Sequence, residues 1–358
     1  MAKFKNIEFL RFIFSLIIVH FHLYPSIGNT FGVPFYQTMG TAARDGYLVV
    51  EMFFILSGFF LCRGCQCDTS PAWSDFALGK IIRMWPLAAF IWLFDIAAYQ
   101  NFEITYTAFL NLFFLQSTGL VLNYRLSVLM WFVSALFWVL LFYYYLLKNF
   151  DRQKTDLWMA LIVFFSYAAV INHNHGALSG AGGPVIGGVF NLGILRALAG
   201  VGLGCFLFRL YRILSTRNLA ANRKAFVLFS LLEVGCLLFV LVNTVFRHIS
   251  YSDKFVFIPV FAWLVLSFCL RLGVVSRLLE NDFSQKLGKY AYAIYVMQVI
   301  AFYICNRTLW KSETVVGRPL LNITLTLAIA LSAGIAGYHF IEVPAKKILS
   351  RRQSENKS

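Results

Sequence analysis

"RFIFSLIIVHFH" (Arg11–His22) is an apolar run with a cation at one end and two histidines at the other. Extended to residues 7–24, it has about the length a helix needs to cross a bilayer, roughly 20 residues. A helix that only anchors a chain has no use for an arginine and two imidazoles. Ionisable groups within a membrane are costly and mark a working site by default. Spacing sharpens the point. Eleven residues make about three helical turns, so Arg11 and His22 share one face, roughly 16 Å apart along the axis at 1.5 Å per residue. His20 is about 200° from His22 at 100° per residue and faces elsewhere. Arg11 and His22 form a polar stripe running from one side of the membrane towards the other.

The rest of the chain supports the membrane reading. Hydrophobic residues are 59% of 358 and charged residues 13%, against roughly 25% charged in soluble domains; the mean hydropathy is +0.71. Apolar runs recur at 7–24, 46–62, 84–100, 128–147, 157–172, 189–211, 225–245, 255–272, 289–306 and 319–341. The net charge of +15 invites a nucleic-acid partner, but its distribution argues for the lipid bilayer instead. With a cytoplasmic N-terminus, one side collects Lys3, Lys5, Arg63, Lys80, Arg83, Lys148, Arg209, Arg212, Lys286 and Lys346 among others. The opposite side keeps only Arg44, Arg125, Arg247, Lys254, Arg307, Lys311 and Arg318. This is the positive-inside asymmetry. The expectation is an all-α polytopic membrane protein of about ten transmembrane helices with both termini cytoplasmic. Residues 1–345 form the transmembrane domain and 346–358 a basic cytoplasmic tail. No nucleic acid is expected as a partner.

One apolar stretch, "YTAFLNLFFLQSTGLVL" (105–121), is left out of that count. Counted as a span, it would place "KNFDRQK" (148–154) outside, against the charge rule. It reads as re-entrant or as lying at the outer interface, which is permitted where protein or water satisfies the backbone. The start "MAKFKN" resembles a signal peptide, but Arg11 within the run and the absence of a small-x-small site make it an uncleaved first helix.

Other features read plainly. "CRGCQC" (62–67) places three thiols at the cytoplasmic end of the second span. No second ligand pair follows at the spacing a tetrahedral site needs, so no metal is expected and the thiols read as reduced. The Gly-rich "HGALSGAGGPVIGG" (175–188) lacks the phosphate-loop pattern and reads as a connection. His173 and His175 are half a metal site at most.

The remaining ionisable residues within spans are Glu51, Arg196 and Glu233, with Asp95 towards the outer end of the third. Glu51, in "YLVVEMFFILSGFF" (47–60), enters from the outside and is expected at the depth of His22. A carboxylate there would orient an imidazole acting as a general base; equally, the two would make an ion pair fastening two helices. Arg196 and Glu233 are expected to pair with each other. In "KIIRMWP" (80–86), Lys80 and Arg83 share a helical face at the cytoplasmic mouth. Paired cations suit a phosphorylated ligand, and they also suit ordinary anchoring at the inner interface.

Taken in order, these elements resemble the acyltransferase 3 family of integral membrane acyltransferases. The pattern R-x10-H is met by Arg11 and His22. The acidic residue before FF-x-LSG is met by Glu51, and [KR]-x-x-R-x-x-P by Lys80, Arg83 and Pro86. "LMWFVSALFW" (129–138), "LGKYAYAIYVMQ" (287–298) and "HFIEVPAKK" (339–347) look like three later motifs. Each is weak alone, and six in order over nearly the whole chain are specific. The chain departs from the pattern at Ala135 or a neighbour, where many relatives carry a glutamate, and at Gln298, where histidine is common.

The resemblance, to the stand-alone form without an attached soluble domain, implies a membrane O-acetyltransferase. It would move an acetyl group from cytoplasmic acetyl-CoA, a co-substrate with no bound cofactor, to a hydroxyl of a cell-surface polysaccharide or lipid-linked glycan. The setting implied is the bacterial inner (cytoplasmic) membrane. His22, Glu51 and Arg11 would be catalytic, with Lys80 and Arg83 holding the acyl-CoA donor. Ser57 and Tyr295 are candidates to stabilise the oxyanion, and Glu342 a lock on Lys80 or Arg83. Transfer of succinyl or another short acyl group is the nearest alternative. From another class, a proton-coupled transporter would also use intramembrane Arg, His and Glu, but it would be expected to show two related halves with interrupted helices.

Overall fold

In the computed structural model of the chain, the described residues are 4–31, 43–66, 70–99, 106–120, 128–178, 184–186, 190–217, 219, 222–246 and 251–355. Cys67, Arg125, Arg247, His248 and parts of the 175–188 loop lie outside them, as do the last three residues of the basic tail.

The main helices are α1 (Lys5–Phe31), α2 (Val49–Cys65), α3 (Trp73–Tyr99), α4 (Trp131–Asn149), α5 (Arg152–His173) and α6 (Leu192–Ser215). They continue with α7 (Arg223–Leu241), α8 (Phe257–Leu270), α9 (Asp282–Gly288), α10 (Ala291–Arg307), α11 (Pro319–Gly337) and α12 (Val343–Glu355). Among the described residues, eight helices are long and apolar enough to cross a membrane, or nine with α9 and α10, bent by 44°, taken as one span. The shorter apolar helix Lys254–Leu270 adds a tenth segment. These correspond, run for run, to the ten stretches expected from hydropathy. A two-stranded antiparallel pairing, β1 (Pro184–Ile186) with β2 (Phe190–Asn191), joins α5 to α6.

Helix starts at the basic end carry ordinary caps. Asp151 accepts from Lys154 N at the start of α5 (3.0 Å) and Asn222 from Lys224 N at the start of α7 (2.9 Å), each satisfying an amide that the helix itself leaves free. The backbone hydrogen bond also holds the Asp151 carboxyl below the usual carboxylate range. Lys5 meets Asp282 at 2.6 Å, and Glu342 lies within electrostatic reach of Arg83. The start of α1 and the end of the last span therefore sit at the same end of the bundle. Beyond the last span, the helix runs on through a wider π turn, Tyr338–Glu342, into α12, which ends at Glu355.

α6 is the most buried of the long helices and α7 the least. The most extensive helix contact joins α2 to α6. Small residues permit it, as they do for helices packed in lipid. A Cβ on Gly58 would collide with the Val201 carbonyl, and one on Gly204 with the Ile55 carbonyl.

The segment after α3 does not cross. A seven-residue helix, Tyr106–Leu112, ends beside Trp85, whose Nε1 donates to the Leu112 carbonyl at 3.2 Å. The chain reverses at Phe114, φ 58°. The Phe114 carbonyl accepts from Ser134 Oγ (2.6 Å) and Trp138 Nε1 (2.8 Å). Ser117 then leads back to the start of α4 by donating to Trp131 O at 2.8 Å. Trp85 and Trp138 lie near the middle of their helices, so the segment enters, turns and leaves. Protein donors satisfy its backbone, the condition for irregular chain at membrane depth.

Candidate functional site

A cavity of about 420 Å³ lies between α1, α2, α3, α4 and α10. Its inner end is lined by Glu8, Arg11, Gly64, Pro71, Phe76, Lys80, Arg83 and Tyr144, its waist by Leu56, Ser57, Phe60, Met84 and Tyr292. The wall ends outward at Ile18, Val50, Phe132 and Tyr295. Five of the eight residues expected from the sequence thus meet around one space: Arg11, Ser57, Lys80, Arg83 and Tyr295.

The charges gather at the inner end. Arg11 Nη1 donates to Glu8 at 3.0 and 2.9 Å. Arg83 lies within electrostatic reach of Arg11, Glu342 and Glu8, and Lys80 of Arg83 and Arg11. Neither Lys80 nor Arg83 makes a hydrogen bond or an ion pair among the described residues. The Lys80 ammonium rests over the Phe76 ring at 4.9 Å, and Arg83 is exposed. Three cations with one carboxylate clasped and a second nearby leave a net positive mouth. Beyond it the walls are mostly apolar and aromatic.

The waist holds few polar groups. Ser57 is half-buried and makes no hydrogen bond among the described residues. The tyrosine protons are committed. Tyr292 donates to the Met84 carbonyl at 2.6 Å, and Tyr295 donates to the Leu129 carbonyl. Tyr295 is therefore placed as a wall residue whose hydroxyl proton is engaged, and of the two oxyanion candidates only Ser57 has its proton to give.

His22 is one helical turn beyond the cavity's outer end, four residues after Ile18. Ile18, seven residues after Arg11 and four before His22, lies on the face that the spacing assigned to Arg11 and His22, and it lines the cavity with Arg11. His22 Nδ1 is 3.1 Å from Gln298 Oε1, and Gln298 Nε2 donates to the Tyr295 carbonyl at 2.6 Å. The Phe21 ring lies 4.8 Å from the imidazole. His20 faces another way and bonds to the Val245 backbone.

Glu51 is not level with His22, and the expected pairing is corrected here. The Phe4 ring packs on Phe59 and Phe60 at 6.2 and 6.1 Å, and a Cβ on Gly46 would run into Phe21. Level with His22 is therefore the turn Ala43–Leu48, and level with Glu51 is α1 near Ser15. Seven residues at 1.5 Å put Glu51 roughly 10 Å closer to the inner end. Glu51 faces α6, where Arg196 Nε donates to its Oε1 at 2.7 Å. The guanidinium also lies 5.3 Å from the Trp131 ring and 5.6 Å from Tyr47.

The expected Arg196–Glu233 pair is overturned by the same contact. Glu233 accepts from Gly273 N and Ser276 N, both at 3.0 Å, and from Ser267 Oγ. It caps the short helix Val274–Leu278. Glu342 makes no ion pair with Lys80 or Arg83 among the described residues, and its buried Oε2 accepts no hydrogen bond, so the expected lock is not closed.

Three residues of the site were not singled out from sequence. Glu8 sits three residues before Arg11, a spacing that places it beside Arg11. Gln298 stood out only as a departure from a motif. Tyr292 lies within the motif "LGKYAYAIYVMQ" but was given no role there.

A family model described as an acyltransferase domain matches residues 4–338, nearly the whole chain. No curated protein and no solved structure matches the chain significantly. With one family model spanning α1 to the end of α11, and with a multi-pass helical bundle around a basic-mouthed cavity, the chain belongs to the acyltransferase 3 family of membrane acyltransferases.

Proposed function

We propose that this membrane acyltransferase moves an acetyl group from cytoplasmic acetyl-CoA to a hydroxyl of a cell-surface polysaccharide or lipid-linked glycan, in a bacterial inner membrane. The observation that carries the reading is the cavity. Arg11, Lys80 and Arg83 stand at its mouth, and its far end stops one turn below His22. A donor with phosphates at one end and a thioester at the other fits that polarity. Phosphate oxygens suit the guanidinium fork and the ammonium, and an uncharged arm suits the apolar waist.

In the proposed reaction, His22 takes the proton of the acceptor hydroxyl as its oxygen attacks the thioester carbonyl. The tetrahedral intermediate carries its negative charge on the former carbonyl oxygen. A hydrogen-bond donor beside that oxygen would stabilise the charge in a water-poor space, where such donors act most strongly. Ser57, six residues further along α2 than Glu51 and so roughly 20 Å inward of His22, is too far to be that donor and lines the path of the acyl-CoA arm instead. Collapse breaks the carbon–sulfur bond, and the departing thiolate takes the proton from His22. An acyl ester and a free thiol result, with the base restored. Glu51 serves this scheme at a distance, by holding α2 to α6.

The test compares surface glycans by mass spectrometry from a deletion host carrying wild type or His22→Ala at equal membrane levels. One added acetyl mass with wild type alone is expected. Another added acyl mass, such as succinyl, replaces acetyl as the transferred group. Glycans identical to the empty host with both proteins overturn the glycan reading.

A further inference from the structure

We infer that Gln298 is a positioning residue that fixes which ring nitrogen of His22 carries the proton, leaving Nε2 as the atom that accepts one from a hydroxyl substrate.

A side-chain amide has one end that only donates and one that only accepts. The Gln298 amide is 0% exposed, so its orientation follows from its neighbours. One end lies 2.6 Å from the Tyr295 carbonyl, which only accepts. That end is therefore the NH₂ group, and the other end is the carbonyl oxygen. This oxygen faces His22 Nδ1 at 3.1 Å. An acceptor opposite a ring nitrogen requires that nitrogen to carry hydrogen. In the neutral imidazole only one nitrogen does, and the other keeps its lone pair.

A second contact agrees. The ring also bonds to the backbone of Ile18, four residues earlier on α1. A carbonyl one turn back is within reach of the ring nitrogen next to Cγ, which is Nδ1. A bond there would bring a second acceptor to the same nitrogen as Gln298. The Phe21 ring at 4.8 Å holds the imidazole from the side. The Tyr295 backbone that orients Gln298 belongs to the turn whose side chain forms the outer end of the cavity. One turn of α10 thus bounds the cavity and sets the tautomer of the residue just beyond it. The role resembles that of the carboxylate in a hydrolase triad, which selects tautomer and orientation, but here a neutral amide performs it.

The inference rests on the proposed role of His22, and its test reads the ring directly. The full chain is prepared in lipid bilayers with ¹³C,¹⁵N-labelled histidine at mildly alkaline pH, without donor or acceptor. The His22 signals are assigned by their loss in His22→Gln. The unprotonated ring nitrogen is expected to correlate with Cδ2, which is bonded to Nε2, and not with Cγ. In Gln298→Met, similar in size but without the acceptor, the second tautomer is expected to appear. In Gln298→Glu, which keeps an acceptor, it is expected to stay absent. An unprotonated Nδ1 in the wild-type protein overturns the inference, and so does a tautomer unchanged by Gln298→Met in a protein that retains its wild-type melting temperature.

Turnover separates this inference from the functional reading. If wild type transfers acyl groups, Gln298→Met is expected to lower kcat by about tenfold or more with donor KM unchanged, short of the roughly 10⁴-fold loss seen where an orienting group enforces the wrong tautomer. Gln298→Glu is expected to recover most of it. If wild type transfers none while the ring signals are as stated, the functional reading fails and the tautomer assignment stands.

Discussion

Arg196 donates to Glu51 at 2.7 Å across the α2–α6 interface, with the two side chains 1% and 0% exposed. A carboxylate expected from the sequence beside the His22 imidazole is instead half of a sealed ion pair. Removing one partner of such a pair strands a buried charge, which costs about 3–5 kcal/mol. Glu51→Gln is therefore expected to melt at a markedly lower temperature in detergent and to accumulate poorly in the membrane. A double-mutant cycle between Glu51 and Arg196 is expected to show strong coupling, and one between Arg196 and Glu233 none beyond about 0.5 kcal/mol. Glu51→Gln with wild-type melting and no turnover would return Glu51 to the chemistry.

Lys80 and Arg83 make no ion pair among the described residues, so their charges hold nothing together there. Lys80→Ala and Arg83→Ala are expected to keep the wild-type melting temperature. A hydrogen bond to a charged group contributes about 1.5–3 kcal/mol, so each change should raise the donor KM roughly ten- to hundredfold. Turnover at saturating donor should fall much less. Steady-state kinetics with varied acetyl-CoA decides this, and a loss confined to kcat would contradict it.

Ser57 and Tyr295 should part company. Ser57→Ala removes the free hydroxyl of the cavity waist, roughly 20 Å inward of His22, and is expected to move the donor KM more than kcat. Tyr295→Phe leaves the Leu129 carbonyl without its donor, a stability cost of about 1–3 kcal/mol, with turnover per folded molecule largely kept. Paired kinetics and melting curves on the two variants check the assignment. A loss of about 10²–10³ in kcat with either variant would make that hydroxyl the oxyanion donor.

The glycines separate in the same way. At Gly58 a Cβ meets the Val201 carbonyl, whereas at Gly235, on the outward face of α7, it meets nothing within 4 Å. Gly58→Ala is expected to force α2 and α6 apart at a cost of about 1–3 kcal/mol. Gly235→Ala should be neutral or stabilising by up to about 1 kcal/mol, the helix-propensity difference. Equal melting temperatures for the two would mean that α2 and α6 do not approach as closely as described.

The bundle was readable because a span writes itself into consecutive residues. Hydropathy located all ten apolar segments, and the charge rule kept 105–121 from being counted as an eleventh. The Arg11–His22 stripe was readable for a related reason: both residues lie on one helix, where spacing alone fixes the face. Partners on different helices were not readable. Glu51 and Arg196 are 145 residues apart in sequence, and no local pattern reports their contact. The depth of Glu51 was misjudged because residue counting starts each span at the membrane surface. Here the turn Ala43–Leu48 already occupies the level of Phe21, which pushes Glu51 inward. Gln298 was hidden because a neutral amide in an apolar helix carries no charge signal, although its effect on His22 is specific.

Because Arg11 and His22 ride on one uninterrupted helix, their separation is a property of the backbone ladder and not of side-chain packing. Tilting or shifting α1 carries both ends together and leaves the interval, roughly 16 Å along the axis, unchanged. The helix acts as a fixed ruler. On the proposed function, a thioester whose charged end and reactive carbon are closer together than that cannot engage both marks at once, however well its acyl group fits. Selection by overall length then precedes any selection by acyl chemistry. It follows from eleven residues of helix that no mutation elsewhere in the bundle can readily recalibrate.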